Sequence, residues 1–265
     1  AALLSGRFPS ELKRNSNYYP RFDESNVFLA EILSSMGYHT AGFPSHWYFS
    51  AGSGFEQGFN VWQPYYVEKG RMSIVPTAEA VVTSAVEHLH RLEPDPSRPY
   101  FMWLHLLDPL PAYLQHLDVH TFGTAPTDRY DHEVRYVDTW LKWFIDTLKR
   151  REDWKRTVLV VVGTRGTDFL DRTPPGLTEG NVRVPLIIRV PGLQARPVSR
   201  PVSLVDLMPT LLELAGFNPD LATVKPSSLQ GRSLISTFVG KKLPPRPIYA
   251  EIPKTAKSGL QLSWL

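Results

Sequence analysis

An unbroken apolar run, Thr157-Val158-Leu159-Val160-Val161-Val162, breaks off at the polar tip Gly163-Thr164-Arg165-Gly166, and no other segment limits the possible folds of this chain so tightly. β-Branched residues in succession suit a strand covered on both faces, because a half-exposed strand alternates apolar with polar positions. A second run, Tyr100-Phe101-Met102-Trp103-Leu104-His105-Leu106-Leu107, has the same character, and a third spans 184–190. Between the first two in chain order, residues 131–151 place Val134, Val137, Leu141, Phe144, Ile145 and Leu148 on one helical stripe. Buried strands separated by so long a crossover are expected to run parallel. The expected class is therefore α/β: an α/β/α sandwich in which strands 100–107, 157–162 and 184–190 share one mostly parallel sheet.

Other periodicities fill in the layers. Val27, Leu29, Ile32, Leu33 and Met36 predict a helix over 26–36 that stops at Gly37, and Ala80, Val81, Ala85, Val86 and Leu89 predict another over 76–92. Ser203 is placed to cap a final helix reaching Gly216, with Pro209 predicting a kink or an early start, and 247–251 adds a late strand. The loops at 8–25, 44–75 and 109–129 are long and rich in Pro, Gly, Ser and Tyr, as functional insertions on one face would be.

With 265 residues, 42% hydrophobic and 21% charged, the chain has the material for one large buried core, which excludes disordered and collagen-like classes. The net charge of +3 is not gathered into basic clusters interleaved with aromatics, so nucleic acid is not an expected partner. Cysteine is absent, which removes disulfides, thiolate metal sites and a cysteine nucleophile from these residues. No apolar run approaches the roughly 18 residues of a membrane span, so membrane attachment is expected only through a segment outside this sequence. The chain opens at Ala1 without a Met and reads as a fragment or a processed piece.

In open parallel sheets, ligands bind beyond the carboxyl ends of the strands. That rule selects Asp108, after strand 100–107, and residues 163–168, after strand 157–162. Among the remaining ionisable residues, Asp168 and Asp171 lie in a Gly/Pro-rich stretch and suit turns as well as a metal. His88 and His90 sit near a helix end, where solvent and the helix dipole account for them. His116 and His120 share a loop in which their spacing carries little weight.

Seven segments in register give the chain a resemblance to the sulfatase family of the alkaline phosphatase superfamily. They are Ala1-Ala2-Leu3-Leu4-Ser5-Gly6-Arg7-Phe8-Pro9, the helix-turn-strand 28–43, Gly54-Phe55-Glu56-Gln57-Gly58-Phe59, Leu104-His105-Leu106-Leu107-Asp108-Pro109, the stretch 130–138, Val182-Arg183-Val184-Pro185-Leu186-Ile187-Ile188, and Ser203-Leu204-Val205-Asp206-Leu207-Met208-Pro209-Thr210. The resemblance implies one sulfatase-like domain over 1–265 whose nucleophile, a residue oxidised to formylglycine, and first metal carboxylates would precede Ala1. It also implies calcium or magnesium as the family's cation, a sulfated or phosphorylated small molecule or glycan as ligand, and a periplasmic, extracellular or membrane-anchored setting.

Where the family's strand tip reads Ser-Asp-His-Gly, this chain has Gly163-Thr164-Arg165-Gly166. A hydroxyl and a guanidinium do not replace a carboxylate and an imidazole around a hard divalent cation, so no metal is expected on this chain. Leu110 stands where the family commonly has the His of Asp-Pro-His, the family's later His-Gly pair is missing near Thr173, and Pro44-Ser45-His46-Trp47 replaces Gly-Lys-Trp-His. The pocket-lining candidates are therefore His46, Asp108, Thr164 and Arg165, with His46 either a pocket contact or a packed side chain. Asp131, Asp138 and Asp206 match family positions and are read as structural. Three functions stay open: a sulfatase-like pseudoenzyme or anion-binding module, an active sulfate- or phosphate-ester hydrolase or transferase with a rearranged site, and an assembly subunit using Trp140 and Trp143.

Overall fold

The computed structural model describes residues 1–15, 21–65, 78–110, 113–167, 169, 177–223, 225–226, 228–252 and 261–264. Asp168, Asp171 and the segment 172–176 singled out above lie outside them. The chain forms two compact units, Ala1–Gly37 with Arg156–Leu265, and Tyr38–Lys155.

The chain begins with α1 (Ala2–Ser5), closed by Gly6 at φ 62°, and continues to α2 (Leu29–Ser35). α2 is shorter than its periodicity predicts because Phe28 is extended and donates its N–H to Glu31 Oε2 at 2.7 Å, which starts the helix there. Leu29, Ala30, Ile32 and Leu33 make its buried face.

In the Tyr38–Lys155 unit, β1 (His39–Pro44) lies between β2 (Val61–Trp62) and β3 (Tyr100–His105), all parallel, with His39 opposite Tyr100 and Pro44 opposite His105. A Cβ on Gly42 would fall 2.5 Å from Trp62 Cε3, so the ring of Trp62 covers β1 only because residue 42 has no side chain. Between β2 and β3, α3 (Ala78–Arg91) buries Val81, Val82, Ala85, Val86 and Leu89, which takes in the predicted Val81, Ala85, Val86 and Leu89, with Val82 in place of the half-buried Ala80. After β3 comes α4 (Pro126–Lys149), which begins five residues before the expected start. Pro126 occupies the first turn, where its missing N–H is not needed, and Asp128 Oδ2 accepts from Ala125 N at 3.0 Å. The buried side of α4 also differs from the predicted stripe. His132, Glu133, Tyr136, Phe144, Thr147 and Leu148 are buried, while Val134 is 41% exposed.

In the other unit, β4 (Leu159–Val162) leads through the tip and α5 (Glu179–Val182) to β5 (Leu186–Arg189), and the two strands pair antiparallel, Val162 opposite Leu186. This corrects the expectation that 100–107, 157–162 and 184–190 form one sheet. β3 is laddered to β1, whereas β4 is laddered to β5 in the opposite sense. A long crossover fixes direction only for strands that pair with each other, and apolar runs do not say which strands do. The β-branched run itself does not mean burial on both faces either, for every residue of β4 is half-buried.

α6 (Leu207–Leu214) follows a 3-10 turn over Leu204–Asp206, so Pro209 lies in the first α-helical turn and introduces no break. α7 (Ile235–Phe238) and the antiparallel pair β6 (Tyr249–Ile252) and β7 (Gln261–Trp264) complete the order. Leu4, Leu29, Ile32, Val205, Leu207, Met208 and Leu212 form the core where α1, α2 and α6 meet. Each such side chain stabilises the unit by about 1.5–3 kcal/mol relative to exposure.

Candidate functional site

Two backbone clamps shape the tip beyond β4. Gly163 N donates to Pro185 O at 2.9 Å and Gly166 N donates to Asn181 O at 2.8 Å. A Cβ on Gly166 would lie 2.0 Å from Gly180 O, so only glycine lets the tip close against α5. Thr164 and Arg165 are left between the clamps, exposed, and both line a cavity of about 1250 Å³ within the Ala1–Gly37/Arg156–Leu265 unit.

Arg183, Arg189, Arg196 and Arg200 join Arg165 in that lining, against the carboxylates Glu179 and Glu251. Both carboxylates already have partners. Glu179 pairs with Arg183 at 3.1 Å, and Glu251 accepts from Ser10 N at 2.6 Å and Ser10 Oγ at 2.7 Å. Arg200 Nη1 donates to Leu243 O at 2.7 Å and Arg196 donates to Thr237 O, which fixes two of the guanidinium groups in place. Five arginines against two engaged carboxylates give the cavity a cationic lining suited to sulfate, phosphate or carboxylate groups.

Thr164 and Arg165 do not fit a divalent cation. Thr164 offers a neutral hydroxyl and Arg165 only donors, and among the described residues no group of three or more His, Cys, Asp or Glu is placed to hold a metal.

His46 and Asp108 belong to the Tyr38–Lys155 unit, at the carboxyl ends of β1 and β3. Ser45, fully buried, ties these ends together: Ser45 N and Oγ donate to His105 O at 3.1 and 2.6 Å, and His105 Nδ1 approaches Ser45 O at 2.8 Å. Loss of solvent pushes His105 down to about 4, so its imidazole is neutral at physiological pH. Its place in an apolar run concealed this group. His46 stands at φ 142°, a region that L side chains rarely adopt, and its Nδ1 accepts from Tyr48 N at 3.1 Å. Burial also lowers the His46 pKa.

Asp108 Oδ2 accepts from Ala78 N at 2.8 Å, so it anchors the N-terminus of α3. Beside it, the buried Glu133 of α4 accepts from Leu110 N at 2.8 Å and Leu114 N at 2.7 Å. Burial raises the Glu133 pKa, the two backbone N–H groups oppose that, and the charge of Asp108 adds to it.

The loop histidines also sort differently from their spacing. His116 stacks on Tyr136, centroids 3.5 Å apart and planes within 4°, while His116 N donates to His132 Nε2 at 2.8 Å. The side chain that answers His116 is therefore the helical His132. His88 is buried with its Nε2 3.0 Å from His39 Nε2, so solvent does not account for it. Asp206 is structural: it accepts from Ser203 N at 2.9 Å and Arg232 N at 2.8 Å and pairs with Arg246. Trp140 and Trp143 touch edge-on at 5.6 Å, with Trp143 37% exposed.

The structure thus brings Thr164 and Arg165 together in one cavity, and it places His46 and Asp108 at neighbouring strand ends of the other unit. Against known proteins, a family model described as Sulfatase matches residues 1–217. No curated protein matches the chain. Among solved structures, Ps i-CgsB in complex with k-i-k-neocarrahexaose superposes with a TM-score of 0.74 at 18% identity, over 99% of this chain and 74% of its own. BT4656 in complex with its substrate D-glucosamine-2-N,6-O-disulfate gives 0.71 at 17%, over 100% and 76%. A Vibrio parahaemolyticus protein of the alkaline phosphatase superfamily gives 0.68 at 21%, over 96% and 60%. At these identities the superpositions establish an alkaline-phosphatase-like α/β fold. The family model covers far more than half of the 265 residues, and the chain belongs to the sulfatase family.

Proposed function

We propose that this chain is a sulfatase-family domain that binds an anionic ligand, a sulfated or phosphorylated small molecule or glycan, and has lost metal-dependent ester hydrolysis. The observation that carries the reading is the pair Thr164 and Arg165, clamped at the end of β4 in a cavity with four further arginines. Guanidinium groups grip sulfate and phosphate through paired N–H donors, while Thr164 and Arg165 offer calcium or magnesium no carboxylate. The ligands of Ps i-CgsB and BT4656 support a sugar carrying sulfate as the preferred class. The family match over 1–217 takes residues from both compact units, which supports reading 1–265 as one sulfatase-like domain. No helix among the described residues is long and apolar enough to cross a membrane. A periplasmic or extracellular setting, or anchoring through a further segment, belongs to the same proposal.

Arg165 also favours a second reading, an active ester hydrolase or transferase with a rearranged site, because a guanidinium stabilises developing negative charge without a metal. Titration with calcium chloride and with D-glucosamine-2-N,6-O-disulfate by calorimetry, alongside assay of a chromogenic aryl sulfate, separates the two. The first reading expects sugar binding that Arg165→Ala weakens about tenfold, with no stoichiometric calcium uptake and no turnover. Turnover abolished by chelator would overturn it, and chelator-resistant turnover lost in Arg165→Ala would establish the second.

A further inference from the structure

We infer that the cavity at the end of β4 takes an aliphatic chain beside its anionic group, so that the ligand is a sulfated sugar carrying an alkyl or acyl chain. This rests on the anionic reading above and adds the part of the ligand that arginines do not recognise.

The cavity is large and its uncovered side chains are mostly apolar. At about 1250 Å³ it exceeds the roughly 300–1,000 Å³ of sites that enclose one drug-sized ligand, so a single sulfated pyranose leaves much of it unfilled. Ile187 is 64% exposed, Val198 49% and Leu193 43%, and all three line this cavity. Apolar side chains scattered singly over a surface need no explanation, but three large ones opening into one cavity mark a binding surface. Tyr249, also in the lining, sets its ring edge-on against Phe8 at 6.0 Å, so the surface left to a ligand is chiefly aliphatic and suits a chain.

The local structure explains why these side chains stay uncovered. Among the described residues β5 is laddered to β4 alone, and Leu186 to Val190 all line the cavity while no residue of β4 does, so the cavity follows the other edge of β5. Ile187 stands opposite Val161 and Arg189 opposite Leu159, which puts Ile187 and Arg189 on one face of the strand, about 7 Å apart. The bond from Gly163 N to Pro185 O continues this register, so Leu186 and Ile188 turn their N–H and C=O groups toward the cavity edge, where sugar hydroxyls find donors and acceptors. After β5, Gly192 at φ 78° turns the chain, and Leu193 N donates to Val190 O at 3.2 Å. Val198 lies between Arg196 and Arg200, whose guanidinium groups donate to Thr237 O and Leu243 O. With those charges held on carbonyls, the methylene stems add to the aliphatic surface.

The mixture decides the kind of occupant. A wholly polar oligosaccharide would set hydroxyls against Ile187, Leu193 and Val198, and an uncharged lipid would take water from the arginines without pairing them. A sulfated head with an aliphatic tail satisfies both parts of the lining.

The test titrates methyl glucoside, octyl glucoside and the 6-O-sulfate of each into the wild-type chain, Ile187→Ser, Val198→Ser and Arg165→Ala by calorimetry, below micelle formation. All three substituted residues are exposed, circular dichroism confirms folding, and either serine variant alone decides the outcome should the other not fold. Octyl glucoside 6-sulfate is expected to bind at least about tenfold more tightly than the methyl compound, because each methylene covered adds to the affinity. Ile187→Ser and Val198→Ser are expected to remove about fivefold of that gain and to leave the methyl sulfate unchanged, whereas Arg165→Ala weakens both sulfated compounds alike, about tenfold. Equal binding of the methyl and octyl sulfates, both weakened by Arg165→Ala, overturns the aliphatic site and leaves the anionic reading standing. Octyl glucoside binding as tightly as its sulfate, with the gain lost in the serine variants, overturns the anionic reading and leaves the aliphatic site standing. An octyl gain that persists in the serine variants places the chain elsewhere and overturns the inference, and failure of both sulfated compounds to bind overturns both.

Discussion

His39 and His88 meet head to head: their Nε2 atoms are 3.0 Å apart, their centroids 5.2 Å apart and their planes within 16°. Such an approach holds one hydrogen between two nitrogens, one ring donating and the other accepting. A second proton would set two donors against each other. Burial lowers the pKa of both residues, Arg98 lowers His39 further, and His39 and Arg91 lower His88 further. The unfolded chain, with histidines near 6.5, then binds more protons than the folded one, so stability rises with pH. The stabilisation is present above 6.5 and is lost as pH falls through that value toward the lowered folded ones. The urea midpoint is expected to drop between about pH 7 and about pH 5, and His39→Asn to flatten that dependence while lowering the midpoint at neutral pH. An unchanged pH profile in His39→Asn would show that other groups set it; His105, lowered from 6.5 to about 4, acts with the same sign over the same window and on down to about pH 4, so the dependence is flattened in part and not abolished. None of this was legible in the sequence, where His88 sits in a helical pattern and nothing ties it to a strand residue 49 positions away.

At the scale of elements, helix α4 shows what periodicity reports and what it omits. Its existence was legible from the apolar stripe though its start was not, and Glu133 and His132 are among its most buried residues while Val134 faces outward. A charged residue in a helical pattern reads as surface, and only the loop after β3 reveals otherwise, by delivering Leu110 N and Leu114 N to the carboxylate. Glu133→Ala therefore leaves two backbone donors without their acceptor. It is expected to cost about 2–4 kcal/mol in urea unfolding and to speed amide exchange at Leu110 and Leu114. Exchange unaltered at both amides would mean that the loop is held by other contacts. The strand readings had the same strength and weakness. The runs at 100–107, 157–162 and 184–190 each contain a strand, but partner choice came out differently, since a chain of apolar residues carries no label for its neighbour.

For the molecule as a whole, seven segments in order identified the family where no one of them could, and the strand end at Val162 was legible, so Thr164 and Arg165, which line the cavity, could be named as the residues next along the chain even though β4 pairs antiparallel and the parallel-sheet rule does not apply to it. The arginines that join them were not legible. Arg183, Arg189, Arg196 and Arg200 are scattered over 18 residues of sequence without a motif, and folding assembles them. On the proposed reading, their convergence makes anion binding a property of the folded state alone, so an anion that binds there raises the unfolding midpoint. At a concentration about 100 times its dissociation constant, a sulfated sugar adds about 2.7 kcal/mol, which for a chain of this size shifts the thermal midpoint by several degrees. Sodium chloride screens the guanidinium groups, so the shift is expected to shrink as salt rises from about 0.05 M to about 0.5 M, where the Debye length falls well below the width of the cavity. Arg165→Ala should reduce the shift at low salt and leave the midpoint without ligand nearly unchanged, because Arg165 is exposed between two backbone clamps that do not depend on its side chain. Thermal scans of both proteins with and without D-glucosamine-2-N,6-O-disulfate measure this. A ligand-induced shift that is equal in the two proteins, or that does not respond to salt, would place the anion somewhere other than the cavity at the end of β4.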